Sequence, residues 1–262
     1  MKQRKEQRQE KVLKHFNDAL NHSAGYRKVQ RDVLEDGIQC CEETIRRDYR
    51  ELNIAAIIKK KFKVRTTDSH HNNPIAPNIL DRHFTAEKPG EKMVTDITYA
   101  ATMQGFLYVT FVIDLFSRRI IGWSIEEEMT VDSVLKALKM ALQKLLFFPP
   151  VMLLHSDRGS QYASLLFRQA CCLAGIVQSM SRKGNCWDNA VAESVNGKFK
   201  TELLYRQEVF ETKEAARDAI IEYIEGYYNC KRRHQTLNYQ RPNDVWNEYF
   251  AKILTDKKYC VK

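Results

Sequence analysis

The stretch Met93–Ile125, MVTDITYAATMQGFLYVTFVIDLFSRRIIGWSI, decides the fold. It divides into three apolar segments, Met93 to Ala101, Phe106 to Phe116 and Arg119 to Ile125, rich in the β-branched and aromatic residues that suit a pleated surface. Gln104-Gly105 and Ser117-Arg118 separate them at hairpin-turn length. The middle segment is apolar at nearly every position, which predicts a strand covered on both faces. Downstream, Val131, Val134, Leu135, Leu138, Leu142 and Leu145 recur at helical spacing until Pro149-Pro150 ends the run. Val151 to Leu154 then reads as a fourth strand, Ser164 to Ala174 as a helix and Ile176 to Met180 as a fifth strand. Asn189 to Leu204 and Lys213 to Lys231 read as further helices. Three meandering strands followed by alternating helix and strand predict an α/β domain, a mixed five-stranded sheet flanked by helices.

Outward from this core, residues 65–90 carry Pro74, Pro77 and Pro89 among Asp, Asn and Ser, the composition of an irregular linker. The expected division is a basic helical region over 1–64, the linker over 65–90, the core over 91–235 and a C-terminal tail over 236–262. Whole-chain charge is +9, from 42 Lys/Arg against 33 Asp/Glu, and residues 1–65 hold 17 of the former and 10 of the latter, or +7. A basic front end before a nearly neutral body implies a polyanionic partner. Residues 1 to 20 read as a solvated helix or a tail. Tyr26, Val29, Val33 and Leu34 then mark a helix that Gly37 stops. A second helix, about Glu42 to Leu52, sets Ile45, Tyr49 and Leu52 on one face and Arg46, Arg47 and Arg50 elsewhere. Two such helices around a glycine-containing turn suggest a helix-turn-helix whose arginines meet DNA, although a plain helical hairpin with a solvated basic face has the same pattern.

The rest of the composition narrows the class. With 262 residues and 44% hydrophobic content the chain can bury a core without staples. The absence of a membrane-length apolar run or a signal-peptide pattern predicts a cytoplasmic, nucleoid-associated protein without a membrane partner. Seven cysteines, including the adjacent pairs Cys40-Cys41 and Cys171-Cys172, make a poor disulfide framework, and no C-x-x-C accompanies His70-His71 to hold zinc.

Three acids stand out. Asp96 lies inside the first strand, where aspartate is depleted and costly to bury, so it is either hydrogen-bonded structure or a ligand facing a cavity. Asp157 directly follows the fourth strand, at the sheet edge where α/β folds bind ligands, though a turn or cap role fits the position equally. Glu193 sits off the apolar stripe Val191, Val195, Phe199 and Leu203 of its helix, and shares a face with Gly197 and Lys200; alone it reads as a solvated glutamate.

The segments around these acids carry more. Thr95-Asp96-Ile97-Thr98-Tyr99, Val112-Ile113-Asp114-Leu115-Phe116-Ser117-Arg118, His155-Ser156-Asp157-Arg158-Gly159, Asn185-Cys186-Trp187-Asp188-Asn189-Ala190-Val191-Ala192-Glu193-Ser194 and Arg233-His234-Gln235-Thr236-Leu237-Asn238-Tyr239 with Pro242 occur in this order, with 35 residues between Asp157 and Glu193. In these motifs, over about residues 20 to 250, the chain resembles the DDE transposase and retroviral integrase superfamily. The resemblance is closest to the second-frame (OrfB-type) transposases of bacterial insertion sequences with two overlapping reading frames. It implies an RNase H-like core with Asp96, Asp157 and Glu193 as catalytic metal ligands, Lys200 as a DNA contact, and Asp114 as a structural turn residue. Arg182, Lys183, Arg233 and His234 join Arg46, Arg47 and Arg50 as expected DNA-binding residues. Met93-Val94 stands where the family usually has a tryptophan before the first aspartate, and Arg46-Arg47-Asp48-Tyr49 replaces a more apolar helix-turn-helix pattern.

Hard carboxylate oxygens suit Mg2+, with two ions about 4 Å apart expected and Mn2+ as a substitute. The implied activity is cleavage and transfer of DNA strands in transposition by a copy-out, paste-in route. The implied partners are double-stranded element ends and target DNA, an upstream first-frame product or a fusion with it, and further copies of the chain on DNA. Ser181 to Asp188 is an expected mobile loop. A nuclease of the same fold without strand transfer, or an inactive DNA-binding regulator, would share many of these features.

Overall fold

The computed structural model describes residues 2–56, 71–204 and 209–259. Residues 57–64 of the expected basic region, 65–70 of the expected linker and 260–262 of the expected tail lie outside the described residues.

The three sequence segments form β1 (Lys92–Thr102), β2 (Gly105–Asp114) and β3 (Ile120–Glu126), an antiparallel meander. Helix α4 (Val131–Lys144) follows, then β4 (Met152–Ser156), α5 (Ser160–Ala163), α6 (Leu165–Leu173) and β5 (Ile176–Met180). The sheet order is β3-β2-β1-β4-β5, with β4 parallel to both β1 and β5. The expected mixed five-stranded sheet is therefore present, and its parallel half begins where the meander ends.

Both faces are covered. On one, Val94, Val109, Phe111 and Ile113 pack against α7 (Ala190–Phe199), α8 (Lys213–Ile221) and a π-helical continuation, Glu222–Tyr228. On the other, Met93, Val112, Ile121 and Leu154 pack against α4 and α6. The nearly unbroken apolar run of β2 thus supplies Val109, Phe111 and Ile113 to one core and Val112 to the other. Helix α4 approaches β3 so closely that a Cβ on Gly122 would collide with the Ala137 carbonyl and stand 2.8 Å from Ala141.

The helix expected over Asn189 to Leu204 has three parts: a 3-10 turn at Cys186–Asn189, α7, and a wider π-type turn at Lys200–Leu204. The expected C-terminal tail contains α9 (Pro242–Tyr259), whose Trp246 and Phe250, one turn apart, belong to the second core. Their spacing gives this segment an apolar stripe to bury, which a solvated tail lacks.

The N-terminal unit comprises α1 (Lys2–Asp18), α2 (Tyr26–Glu35) and α3 (Glu42–Glu51). Residues 1 to 20 supply more than a solvated helix, because Val12 and Phe16 of α1 close a core with Val29, Val33, Ile45 and Tyr49. The buried Asp48 binds Arg8, with Nε to Oδ2 at 2.6 Å, and so ties α3 to α1. Gly37, at φ +82, makes the turn between α2 and α3, a conformation open to glycine at little cost.

Replacing Gly122 by alanine forces β3 and α4 apart while removing no existing side chain. We expect Gly122→Ala to lose about 1–3 kcal/mol of unfolding free energy, read as a lower urea midpoint at unchanged slope.

Candidate active site

Strand register brings the first two acids together. In the parallel β1–β4 ladder Lys92 faces Leu153, Met93 faces Leu154 and Val94 faces His155. Two residues further along each chain are Asp96 and Asp157, on neighbouring paths that a parallel ladder holds about 4.8 Å apart. With Ile97, Met129, Gly159, Gln161 and Tyr162 they line one cleft of about 10 Å³, room for roughly a single water.

Each carboxylate is oriented by local bonds. Asp96 Oδ1 accepts from the Ile97 amide at 2.9 Å, and its Oδ2 accepts from Asn196 Nδ2 at 2.8 Å. Asp157 Oδ1 accepts from the Gly159 amide at 2.9 Å, beside the start of α5. The buried Tyr162, which lines the cleft, has its hydroxyl 3.1 Å from Thr95 Oγ1, a bond that ties it to β1.

Glu193 is exposed in the first turn of α7, whose Ala192, Val195 and Phe199 anchor it on the sheet. Asn196 lies three residues on, so the bond from Asn196 to Asp96 ties the helix face bearing Glu193 to β1. The Asp96 carboxyl is raised well above the usual carboxylate range, first by burial, then by the negative charge of Asp157 and further by that of Glu193. The Ile97 amide and the Lys200 ammonium oppose the shift. Lys200 stands over the Tyr99 ring, with Nζ 4.5 Å from its centroid.

The three acids therefore share one electrostatic field. Among the described residues, however, no three His, Cys, Asp or Glu side chains are close enough to form a finished metal cage. Asp96 and Asp157 are the close pair, and Glu193 joins them through its field at Asp96. The chemistry of this donor set fits a hard divalent cation: carboxylate oxygens whose mutual repulsion raises a proton affinity, a cost that a cation would relieve.

Sequence reasoning passed over Asn196, and read Asp188 only as part of the motif that opens the Glu193 helix. Asp188 is buried, and its carboxylate accepts from Arg182 Nε at 2.8 Å, Arg182 Nη2 at 2.7 Å, the Arg182 amide at 2.9 Å, Arg82 Nε at 2.9 Å and Asn78 Nδ2 at 3.1 Å. The Arg182 side chain foremost holds the Asp188 carboxyl far below its ordinary range. The segment expected to be a mobile loop is thus fastened at both ends of Ser181 to Asp188, and fastened to the linker through Asn78 and Arg82. The signal for Asn196 was its place three residues after Glu193, on the face already marked by Gly197 and Lys200. For Asp188 no such signal marked the tie to the linker, because Asn78 and Arg82 are distant in sequence, although Arg182 lies only six residues away.

His155, in the same motif as Asp157, is buried between Ser179 Oγ at 2.8 Å and Ser181 Oγ at 3.1 Å, and burial pushes it down to about 4. It is a neutral brace between β4 and β5. Asp114 has the structural role expected of it: its carboxylate accepts from the Gly90 amide at 2.9 Å and from the Ser117 amide and hydroxyl at 2.8 and 2.6 Å.

The basic residues fall into two groups. Arg46, Arg47 and Arg50 are exposed on α3, Lys183 is exposed, and Arg182 is half exposed while bound to Asp188. Arg233 and His234 do not fit the DNA-facing role expected from the sequence. Arg233 is buried, with Nε 2.6 Å from Asp32 Oδ1 and Nη2 2.6 Å from Glu35 Oε1, so its charge is spent joining α2 to the core. His234 is buried and pushed down to about 2, first by burial and then by the nearby Lys198 and Arg232 cations, which leaves it neutral.

Comparison with known proteins places this architecture in a class. Two models described as integrase core domain match residues 86–186 and 174–242, and one described as HTH-like domain matches residues 3–62. The chain is 36% identical over 237 residues to the transposase for insertion sequence element IS629 of Shigella sonnei, covering 90% of this chain and 78% of that protein. It is 38% identical over 227 residues to the putative transposase InsK for IS150 of Escherichia coli K12, covering 86% and 78%. Its fold is similar to the catalytic core domain of BIV integrase at 18% identity and TM-score 0.46, covering 63% of this chain and 99% of that one. This chain belongs to the insertion-sequence transposases that carry an integrase core domain. Among the described residues no helix is long and apolar enough to cross a membrane.

The Asp188 cluster carries a pH dependence of known sign. A carboxyl depressed in the folded state contributes stability that is present above the unfolded value, near 4, and is lost as pH falls below it. Asp188→Asn is expected to cost about 2 kcal/mol at neutral pH and to flatten the acid limb of a thermal-melt series between pH 5 and 2.

Proposed function

We propose that Asp96, Asp157 and Glu193 are the catalytic carboxylates of a DDE-type polynucleotidyl transferase that cuts DNA and joins the freed end to a new phosphodiester. The observation that carries this reading is the convergence of Asp96 and Asp157 on one cleft, just beyond the β1–β4 ladder, with the charge of Glu193 acting on Asp96. The three acids would hold Mg2+, with Mn2+ as a substitute and two ions the expected number. Bound there, the metal supplies Lewis-acid stabilisation of charge on the attacking and leaving oxygens.

The chain's own residues do the positioning. Asn196 and the Ile97 amide fix the Asp96 carboxylate, and the Gly159 amide fixes that of Asp157, so neither must reorganise as DNA arrives. Lys200, within the field of Asp96, offers a cation to a non-bridging phosphate oxygen. Arg182 and Lys183 offer further cations from the loop, and Arg46, Arg47 and Arg50 from α3 supply duplex contacts away from the scissile bond. In the first step water attacks phosphorus and the bond to the 3′ oxygen breaks, which frees a 3′-OH. In the second, that hydroxyl attacks another phosphodiester and the displaced strand leaves with its own 3′-OH. Further partners in this reading are the upstream first-frame product, or a fusion with it, and other copies of the chain on DNA.

The test is a labelled duplex carrying the element's own ends, incubated with target DNA and Mg2+. Asp96→Asn, Asp157→Asn and Glu193→Gln are each expected to lose joined product about 10³-fold, or ~4 kcal/mol, while retaining DNA binding and the wild-type melting transition. Cut ends without joined product from the wild-type chain would instead identify a nuclease, and full joining by Asp157→Asn would overturn the assignment.

Neutralising α3 checks the DNA-binding reading separately. Arg46→Ala with Arg47→Ala and Arg50→Ala should flatten the plot of log affinity against log salt by about 2–3, roughly 0.9 for each phosphate that no longer meets an arginine.

A further inference from the structure

Trp187 is 70% exposed, whereas the other two tryptophans are used internally. Trp123 is half-buried and donates from Nε1 to Glu225 at 3.0 Å, and Trp246 is 4% exposed beneath the Arg119 guanidinium. The Trp187 indole has no aromatic or cationic partner among the described residues, although folding normally buries a ring of this size.

The backbone that presents it is held firmly. Asn185 Oδ1 accepts from the Trp187 amide at 3.2 Å, and the next residue is the buried Asp188 with its five donors. Asn189 Nδ2 donates to the Thr95 carbonyl at 3.3 Å, which fastens the same 3-10 turn to the residue preceding Asp96. An unpacked indole on a braced turn, two residues from a tether to the catalytic strand, is a preformed surface for a flat ligand. Arg82 and Arg182, which bind the adjacent Asp188, remain 47% and 49% exposed, and Lys183 of the same loop is exposed. An aromatic face amid arginine and lysine is the chemistry that binds a nucleic-acid base by stacking and its phosphates by charge.

We propose that Trp187 is a stacking platform for an unpaired base of the DNA strand next to the scissile phosphate. Within a duplex each base has both faces covered by its neighbours, so only a frayed or extruded base can lie on the indole. Trp187 thereby selects DNA whose end has opened, and holds it open while the carboxylates act. The inference rests on the proposed DNA-processing role of the site and adds the feature of the substrate that the site reads.

The probe is a DNA duplex with three unpaired nucleotides at one end, 2-aminopurine among them, compared with the fully paired duplex of the same sequence. The wild-type chain is expected to bind the frayed duplex more tightly and to quench the 2-aminopurine by stacking. Trp187→Ala should lose roughly tenfold affinity for the frayed duplex, with no quenching and unchanged affinity for the paired one. Trp187→Phe should recover part of both signals, a graded response that a merely structural role would not give. Wild-type affinity and quenching in Trp187→Ala would overturn the platform alone. Failure of the wild-type chain to bind either duplex would overturn the DNA-processing reading together with it.

Discussion

The parallel pairing of β1 with β4 is the constraint on which the site depends. It puts two aspartates on adjacent paths, where two negative charges close together in a half-buried cleft are unfavourable. The surrounding structure tolerates this because both faces of the sheet are filled. Phe111, Phe199 and Tyr223 interlock on one side, and Met93, Tyr162 and Phe167 belong to the other core. A sheet anchored on two cores can hold an arrangement that the acids themselves oppose, and relief of that opposition is then available to bind a cation.

The acids of the sequence motifs have separate fates set by their neighbours. Asp96 lies partly buried beside Asp157, and its carboxyl is raised first by burial and then by the Asp157 charge, against the Ile97 amide and Lys200. Asp114 and Asp188 are fully buried yet saturated with donors, amides and a hydroxyl for one and two arginines for the other. Saturation makes a carboxylate structural, and a neighbour of like charge leaves it able to act as a ligand. The loop before α7 owes its definition to this contrast, since the saturated Asp188 fixes the turn from which the Glu193 helix starts.

The helical unit joins the core by the same economy of charge. Arg233 and Arg241 meet Asp32 and Glu35 on α2, while the Ser23 hydroxyl meets the Tyr227 hydroxyl at 2.9 Å. Lys28, between these groups, is pushed down to about 8, first by burial and then by Arg232. The basic motif near the C-terminus is therefore committed to an internal contact, and the exposed arginines of α3 remain for an outside partner.

The sequence by itself determined the strand and helix order and the covering of β2 on both faces, because periodicity is a local property of the chain, and its family resemblance singled out the three acids as the expected ligands. It also marked Asp114 as structural. Only the tertiary structure decided that Asp96 and Asp157 line one cleft, since the register between β1 and β4 is a relation between segments some 60 residues apart. The same holds for Asp188 and for Arg233: an arginine beside a histidine reads as a nucleic-acid contact until folding shows which carboxylates reach it first. The apolar stripe of α9 was legible in Trp246 and Phe250, yet its place in the core depended on a surface that β2, α4 and α6 form only when assembled. Charge and burial are decided by neighbours, and the chain chooses most of its neighbours by folding.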